Sequence, residues 1–378
     1  MQLSEEHLLI REMAQKFAAE ELMPTAGARD KSAAFPASEL KDMGALGLMG
    51  MLTPEKWGGS EVGHVGCAIV LEEIAAGDGA ISTIASVHNG VGQVPIVDYG
   101  TTEQKERFLG PLASGEKIGA FALTEPHAGS DASAVKTHAV KDGNHFVLNG
   151  TKQFITSGKH GDVAIVFAVT DPDQGKRGMS AFIVPTDTPG YTITGIEKKL
   201  GQRCSDTAQI TFDNMRLTPD LLLGNEGDGY KIALSNLEGG RIGIAAQSVG
   251  MARAAFDVAL AYAKERTSFG KEIINHQAVG FRLADMATEI EAARLMYLNA
   301  AQMRDAGEPC LKQASMAKLF ASEMAERVCS AAIQTLGGYG YVEGFPLERI
   351  YRDVRVCQIY EGTSDVQRFV ISRALAGE

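Results

Sequence analysis

His138-Ala-Val-Lys-Asp-Gly-Asn-His-Phe-Val-Leu-Asn-Gly150 sets Asp142-Gly143 between two extended runs, the pattern of a tight β-hairpin. Three further apolar runs follow: VAIVFAVTD from Val163, SAFIVPTD from Ser180 and AQITFDN from Ala208, separated by Gly, Pro and Asp. No long helical pattern interrupts them. Parallel neighbours need crossover connections, usually helices, so this zone is expected to be an antiparallel barrel or sandwich.

The chain on either side has a different texture. Residues 1–115 read as helices broken by loops such as Trp57-Gly58-Gly59 and Gly77-Asp78-Gly79. After the β zone, Val279, Leu283, Met286, Ile290, Ala293, Tyr297 and Ala300 recur at spacings of four and three. Ala317, Ala321, Met324, Val328 and Ala331 repeat the rhythm. Two seams with many small residues imply closely packed antiparallel helices, as in a four-helix bundle. The expected fold is therefore α+β and multidomain: a helical domain at 1–115, a middle β domain at 116–224 and a C-terminal helical bundle at 225–378.

Composition narrows the function. The 378 residues are 45% hydrophobic, enough for sizeable cores. A net charge of −11 argues against a broad nucleic-acid footprint. No run of 18 apolar residues occurs, so no membrane span is expected. The Glu-rich start, MQLSEEHLLIREMAQKFAAEEL, fits neither a signal nor a transit peptide. Cys67, Cys204, Cys310, Cys329 and Cys357 form no C-x-x-C pair and read as free thiols in a reducing compartment. The expected location is the cytoplasm of a bacterial-type cell, or the mitochondrial matrix for a processed eukaryotic chain. Neither G-x-G-x-x-G nor G-x-x-x-x-G-K-[ST] is present, which removes most support from nicotinamide-binding, kinase and GTPase readings. H-E-x-x-H, G-x-S-x-G and clustered Cys/His are also missing, so no metal site or serine nucleophile is expected.

Three segments stand out. Phe121-Ala-Leu-Thr-Glu-Pro-His-Ala-Gly-Ser-Asp131 ends a strand in a loop of hydroxyls and backbone N–H groups, suited to a flat polar ring or a phosphate, and equally to an ordinary turn. Gln334-Thr-Leu-Gly-Gly-Tyr-Gly340 permits close backbone approach to a ligand, or simply caps a helix. In Ile359-Tyr-Glu-Gly-Thr-Ser-Asp-Val-Gln-Arg368, Ser364 with Gln367 has the spacing of a capping box. Glu361 lies just before that helix start, where spacing alone favours a surface glutamate stabilised by the helix dipole.

Together these segments resemble the acyl-CoA dehydrogenase family. ALTEPHAGSDASA at 122–134 looks like its first signature, Gln334 to Asp353 like its second, and IYEGTSDVQR like the loop carrying its base. NGTKQFITSG, LGQRCSDTAQITFDN, GGRIGIAAQSVG and ERTSFGKEIINHQAVGFRLADM also match, in order, over essentially the whole chain. The resemblance implies a helical, β and four-helix-bundle fold, and FAD between the β domain and the bundle, partly against a neighbouring subunit. It also implies a homotetramer, or at least a dimer, with acyl-CoA as substrate and electron-transfer flavoprotein as electron acceptor.

By the same resemblance, Phe121, Leu123, Thr124 and Ser130 approach the flavin, with Ser130 also near the CoA chain. Phe154, Ile155 and Thr156 lie along the isoalloxazine. Arg266, Phe269, Gln277, Gln334, Gly337 and Gly338 reach a neighbour's FAD. Thr363, Ser364 and Asp365 hold the FAD diphosphate region at the last helix's N-terminus. Glu238, Arg241 and Gly362 lie against acyl-CoA. Glu361 is the base that removes the α-proton while FAD takes the β-hydrogen as hydride. The family's second location for the base, directly before the Arg of segment 236–241, is Gly240 here, which leaves Glu361 alone in that role.

Phe154 stands where many relatives have Trp, His127 where Gly or Asn is frequent, Gly344 where an acid is usual, and Asp365 where Glu or Gln is common. These departures bear on contacts and specificity. The implied substrate is a short- to medium-chain acyl-CoA, straight or branched, with the short-chain and short/branched-chain members closest in look. An acyl-CoA oxidase using O2 is the nearest alternative, and a catalytically silent scaffold on the same fold is the second.

Overall fold

The computed structural model describes residues 3–377. Seven helices open the chain: α1 Glu5–Phe17, α2 Ala26–Ser32, α3 Ala37–Ala45, α4 Gly63–Gly77, α5 Gly79–Val87, α6 Val94–Tyr99 and α7 Thr102–Ala113. Asp78 separates α4 from α5 and caps α5, its carboxylate accepting the N–H groups of Ala80 and Ile81. Helix α4 is buried along most of its length, so it reads as apolar on every side rather than as a stripe.

The middle zone holds strands β1 Gly119–Ala122, β2 His138–Asp142, β3 His145–Thr156, β4 Val163–Val169, β5 Met179–Pro185, β6 Tyr191–Ile196, β7 Thr207–Leu217 and β8 Leu222–Leu223. They form one sheet in the order β6-β7-β3-β2-β4-β5-β8, with β1 paired to β4. The hairpin is present: Asp142 pairs with His145, and Gly143, with φ +59°, begins the two-residue loop.

The expectation of a wholly antiparallel sheet needs correction. β1 runs parallel to β4, with Gly119 opposite Val163, and β2 meets β4 in a parallel bridge between His138 and Val169. A parallel pair needs a long crossover. Here the β2–β3 hairpin fills that connection, so no helix marks it in the sequence.

The C-terminal zone has α8 Gly229–Glu265, α9 Gln277–Asp305, α10 Leu311–Leu336, α11 Gly338–Tyr341, α12 Leu347–Val354 and α13 Ser364–Ala376. Helix α10 packs against α8, α9 and α13, giving the four-helix bundle. Along the expected seams, Leu283, Met286, Ile290, Ala293, Tyr297 and Ala300 are buried, as are Ala317, Ala321, Met324 and Val328. Val279 and Ala331, at the seam ends, are partly buried.

Polar links join the layers. The Glu72 carboxylate on α4 accepts the Tyr297 hydroxyl at 2.5 Å and Arg294 Nη2 at 2.7 Å, and lies 3.2 Å from Arg253 Nε. This ties α4 to both α8 and α9. Buried His88, in the π-helical turn after α5, accepts the Gly119 N–H on Nδ1 at 2.9 Å. Its Nε2 therefore carries the hydrogen and donates to the carbonyls of Met49 and Leu112, both at 3.0 Å. A single imidazole thus fixes β1 to the helical layer.

Candidate active site

Glu361 stands between α12 and α13 with φ +55°, and Gly362 follows at +85°. Two successive left-handed residues turn the chain sharply before the last helix. A non-glycine residue in this region costs on the order of 1–3 kcal/mol and persists only where its surroundings fix it.

Those surroundings come from distant parts of the chain. The Tyr360 hydroxyl donates to Gln247 Oε1 at 2.9 Å and lies 3.4 Å from both Thr83 Oγ1 and Gln202 Nε2. Lys318, fully buried on α10, donates to the Gly362 carbonyl at 2.7 Å. Gln367 Nε2 donates to the Glu361 and Gly362 carbonyls at 3.0 and 2.9 Å. The capping box expected of Ser364 and Gln367 is replaced by a different arrangement. Thr363 is the cap, its Oγ1 accepting the Val366 N–H at 3.3 Å, while Ser364 is already helical. The helix starts one residue earlier than expected, because both hydroxyls are good caps and Thr363 holds the extended backbone a cap requires.

Glu361 as a whole is only partly buried, but its Oε2 is closed off and, among the described residues, has no hydrogen-bond partner. It lies against α8: a Cβ built on Gly240 would be 2.6 Å from Oε2. Burial pushes the Glu361 carboxyl up to about 7, against the pull of Arg241 and Lys318. Burial in turn draws the Lys318 ammonium down to about 8. Arg241 is also buried, and its Nη1 donates to Ser315 Oγ at 3.2 Å. A carboxylate with cations near but no direct partner, and a pKa near neutrality, has the properties of a general base.

A second group of residues gathers where β1 ends. Phe121 is half-buried, edge-on to Phe167 at 4.9 Å. The Thr124 carbonyl accepts the Gln153 N–H at 2.9 Å, which brings the 122–131 loop beside β3. There β3 shifts register between Lys152 and Ile155, and Phe154, with φ +60°, projects outward with 60% of its surface exposed. Leu123 and Ile155 point into the β core, leaving only their backbone to a ligand. Thr156 is half-buried and Ser130 exposed. Glu125, in the same loop, is a structural acid. It accepts buried Lys152 Nζ at 2.8 Å and the N–H groups of Lys136 and Thr137 at 2.7 and 2.9 Å.

Three family models cover the chain in sequence: the acyl-CoA dehydrogenase N-terminal domain at residues 4–116, the middle domain at 120–215 and the C-terminal domain at 227–376. The chain belongs to the acyl-CoA dehydrogenase family. Membership makes it a flavoprotein oxidoreductase with FAD as its cofactor. The short-chain specific mitochondrial acyl-CoA dehydrogenase of Bos taurus is 46% identical over 372 residues, 98% of this chain and 90% of the relative. The butyryl-CoA dehydrogenase of Megasphaera elsdenii superposes with a TM-score of 0.98 at 40% identity, covering 100% of this chain and 99% of that one. A chain from the structural work on the electron transferring flavoprotein of Acidaminococcus fermentans matches with a TM-score of 0.98 at 43% identity, covering both chains completely.

The remaining family positions fall into two places. Thr363, Ser364 and exposed Asp365 open α13 beside Glu361, and the buried Ser364 Oγ has no partner among the described residues. Arg266, Phe269, Gln277, Gln334, Gly337 and Gly338 lie where α8 ends, α9 begins and α10 ends. Lys318 contacts the loop before α13, and Gln334 comes sixteen residues later on α10, so the two places are about 24 Å apart along that helix. One protomer does not bring them together. Glu238 is engaged by other partners: it accepts the Cys310 thiol at 3.0 Å and lies 3.4 Å from Arg304 Nη1.

Sequence reasoning pointed to Glu361 and gave Gln367 only a capping role; it did not single out Lys318, Tyr360, Gln247 and Gln202, which together with Gln367 hold this loop. Tyr360 and Gln367 flank Glu361 within the quoted motif; the other three are scattered and carry no local signal.

Proposed function

We propose that this chain oxidises a short-chain acyl-CoA to the trans-2-enoyl-CoA, with Glu361 as the base and electron-transfer flavoprotein as the electron acceptor. The observation that carries the reading is the enclosed, unpartnered Glu361 carboxyl raised to about 7. The short-chain preference rests on the names of the Bos taurus and Megasphaera elsdenii relatives. The acceptor rests on the match to the Acidaminococcus fermentans structure.

The residues present fit FAD. Exposed Phe154 offers an apolar platform for a flat ring, with Phe121 and the backbone of Leu123, Thr124, Ile155 and Thr156 around it. In this reading Gly362 and exposed Ser130 would border the acyl-CoA, and Arg241 would meet it from α8. The unpartnered Ser364 hydroxyl, with Thr363 and Asp365 at a helix N-terminus, suits a diphosphate. Gly337 and Gly338 have open space where a side chain would be. Their distance from Thr363 supports the reading in which Arg266, Phe269, Gln277, Gln334, Gly337 and Gly338 serve the FAD of a second copy. Phe269, 95% exposed at φ +51°, is strained toward solvent in a way that a subunit contact accounts for. A homotetramer accommodates both contributions.

FAD, when bound, supplies the acceptor for the β-hydrogen as hydride. The chain's own part is placement. Glu361 takes the α-proton on its carboxylate, and the Cα–Cβ double bond forms as the hydride leaves. The Glu361 N–H has no acceptor among the described residues and is free to donate to the thioester carbonyl as negative charge gathers there. Five free, buried cysteines go with a reducing compartment, the cytoplasm or the mitochondrial matrix. No helix among the described residues is long and apolar enough to cross a membrane.

Anaerobic titration of the yellow protein with acyl-CoAs from butyryl to palmitoyl tests the reading. Bleaching of the flavin band by butyryl-CoA, lost in Glu361→Gln with FAD retained, is the expected result. Normal bleaching by that variant removes Glu361 from the chemistry. Rapid oxygen consumption without an added acceptor identifies an oxidase instead.

A further inference from the structure

Two cavities meet behind Gly240. The inner one is narrow, about 30 Å³, and runs from Gly239 and Gly240 on α8 past Leu71 on α4. The outer one is roomy, about 420 Å³, and is bordered by the acids Glu61, Asp98 and Glu308. His64 and Arg304 line both, together with Leu52 and Val94. They form the partition between the two spaces.

This partition is built, not incidental. Arg304 Nε donates to His64 Nε2 at 3.2 Å, and Nη2 donates to the Ser235 carbonyl at 3.4 Å. Nη1 lies 3.4 Å from Glu238 Oε1. Next to it on α9, Asp305 accepts the N–H groups of His64 and Val65 at 2.6 and 3.0 Å, which anchors the start of α4. Burial, then the neighbouring Arg304 charge, holds His64 down to about 4, so its ring is neutral and accepts the guanidinium hydrogen. A Cβ on Gly239 would lie 3.4 Å from Arg304 Nε, so the guanidinium rests against the residue next to Gly240, whose Cα faces Glu361.

We propose that the His64–Arg304 pair is the chain-length stop of this enzyme: it closes the far end of the acyl cavity and shuts longer saturated tails out of the vestibule behind it. The inference rests on the acyl-CoA dehydrogenase reading. A tail of a few carbons ends before the pair. A longer one must press methylenes against a guanidinium held by three partners and then lie among carboxylates, and both desolvate charge without replacing its partners. Arg304, matched by Glu238, is not left seeking an anionic tail, so the pair excludes rather than recruits.

The test measures kcat/KM of the holoenzyme for butyryl-, hexanoyl- and octanoyl-CoA in wild type, Arg304→Met and His64→Ala. Wild type is expected to favour butyryl over octanoyl, and each variant to raise the octanoyl-to-butyryl ratio at least tenfold. If Arg304→Met does not fold, His64→Ala carries the test alone, since it opens the wall and leaves the Arg304–Glu238 pair in place. Wild type active on butyryl-CoA with the ratio unmoved in the folded variants overturns the stop and leaves the function standing. Equal wild-type use of octanoyl and butyryl does the same. A wild type that turns over no acyl-CoA overturns both.

Discussion

The carboxylate of Glu361 occupies the volume that a side chain at Gly240 would need, with Oε2 only 2.6 Å from where the Cβ would stand. Residues 240 and 361 lie far apart in sequence, on α8 and in the loop before α13, yet they address one point. The absence of a side chain at one position is what lets the carboxylate stand at the other.

Gly240→Ala is therefore expected to displace the carboxylate and lower kcat for butyryl-CoA by tenfold or more, with the protein still folded. Gly240→Glu alone should be worse, since two carboxylates cannot share the space. Combined with Glu361→Gly, it should recover activity above the Glu361→Gly single variant, because the new carboxylate enters the same volume. Steady-state kinetics of the four proteins decide it, and a double variant no better than Glu361→Gly alone refutes the shared volume.

The pH profile follows from the raised carboxyl. A general base takes a proton only when ionised, so the proposed role of Glu361 predicts that kcat/KM rises with pH and levels off above about 7. The same group acts on stability in the opposite direction. Its folded pKa lies above the ordinary 4.5, so the folded state holds the proton more tightly than the unfolded one. The stabilisation it gives is full below about 4.5 and is lost as pH rises to about 7. Urea unfolding of wild type and Glu361→Gln at pH 5 and pH 8 should show wild type losing stability relative to the variant.

Tyr360→Phe removes a hydroxyl that meets Gln247, Thr83 and Gln202 together. It should cost about 1–3 kcal/mol of stability by leaving buried partners unsatisfied. Glu361 should also sit less firmly, so kcat should fall while KM for butyryl-CoA stays near wild type. An unchanged kcat in a destabilised variant would confine Tyr360 to the fold.

Glu72→Ala leaves Arg294 and Arg253 facing each other without their shared carboxylate. Removing one member of a buried ion pair costs about 3–5 kcal/mol. The lower end is expected here because both arginines reach solvent. Chemical denaturation should show the loss, and the weakened α4–α8–α9 contact should split a single transition if the helical layers then unfold separately.

The layer order and the seams of α9 and α10 were legible because burial imposes a period, and the period survives in the sequence. Glu361 was legible as a motif. What holds it was not: a buried lysine such as Lys318 looks like a surface residue until its burial is seen, and Gln202 and Gln247 meet Tyr360 only across layers. The parallel β1–β4 pair escaped notice because a hairpin took the place of the expected crossover helix. The cap of α13 was misread by one residue because Thr363 and Ser364 are both competent caps. The polar wall of His64 and Arg304 has no linear signature, since its parts come from α4 and α9.

The β1–β4 pairing also sets an order of assembly. β1 is synthesised first but has no parallel partner until β4 exists, whereas the β2–β3 hairpin closes locally on a microsecond scale. Until β1 docks, one edge of Val163–Val169, an entirely apolar strand, lacks most of its cover. Such an edge is a template for another chain. The strand that leads into the Phe121–Thr124 site thus also guards the nascent protein against aggregation, and variants that loosen its His88 anchor should lower refolding yield before they lower the stability of molecules already folded.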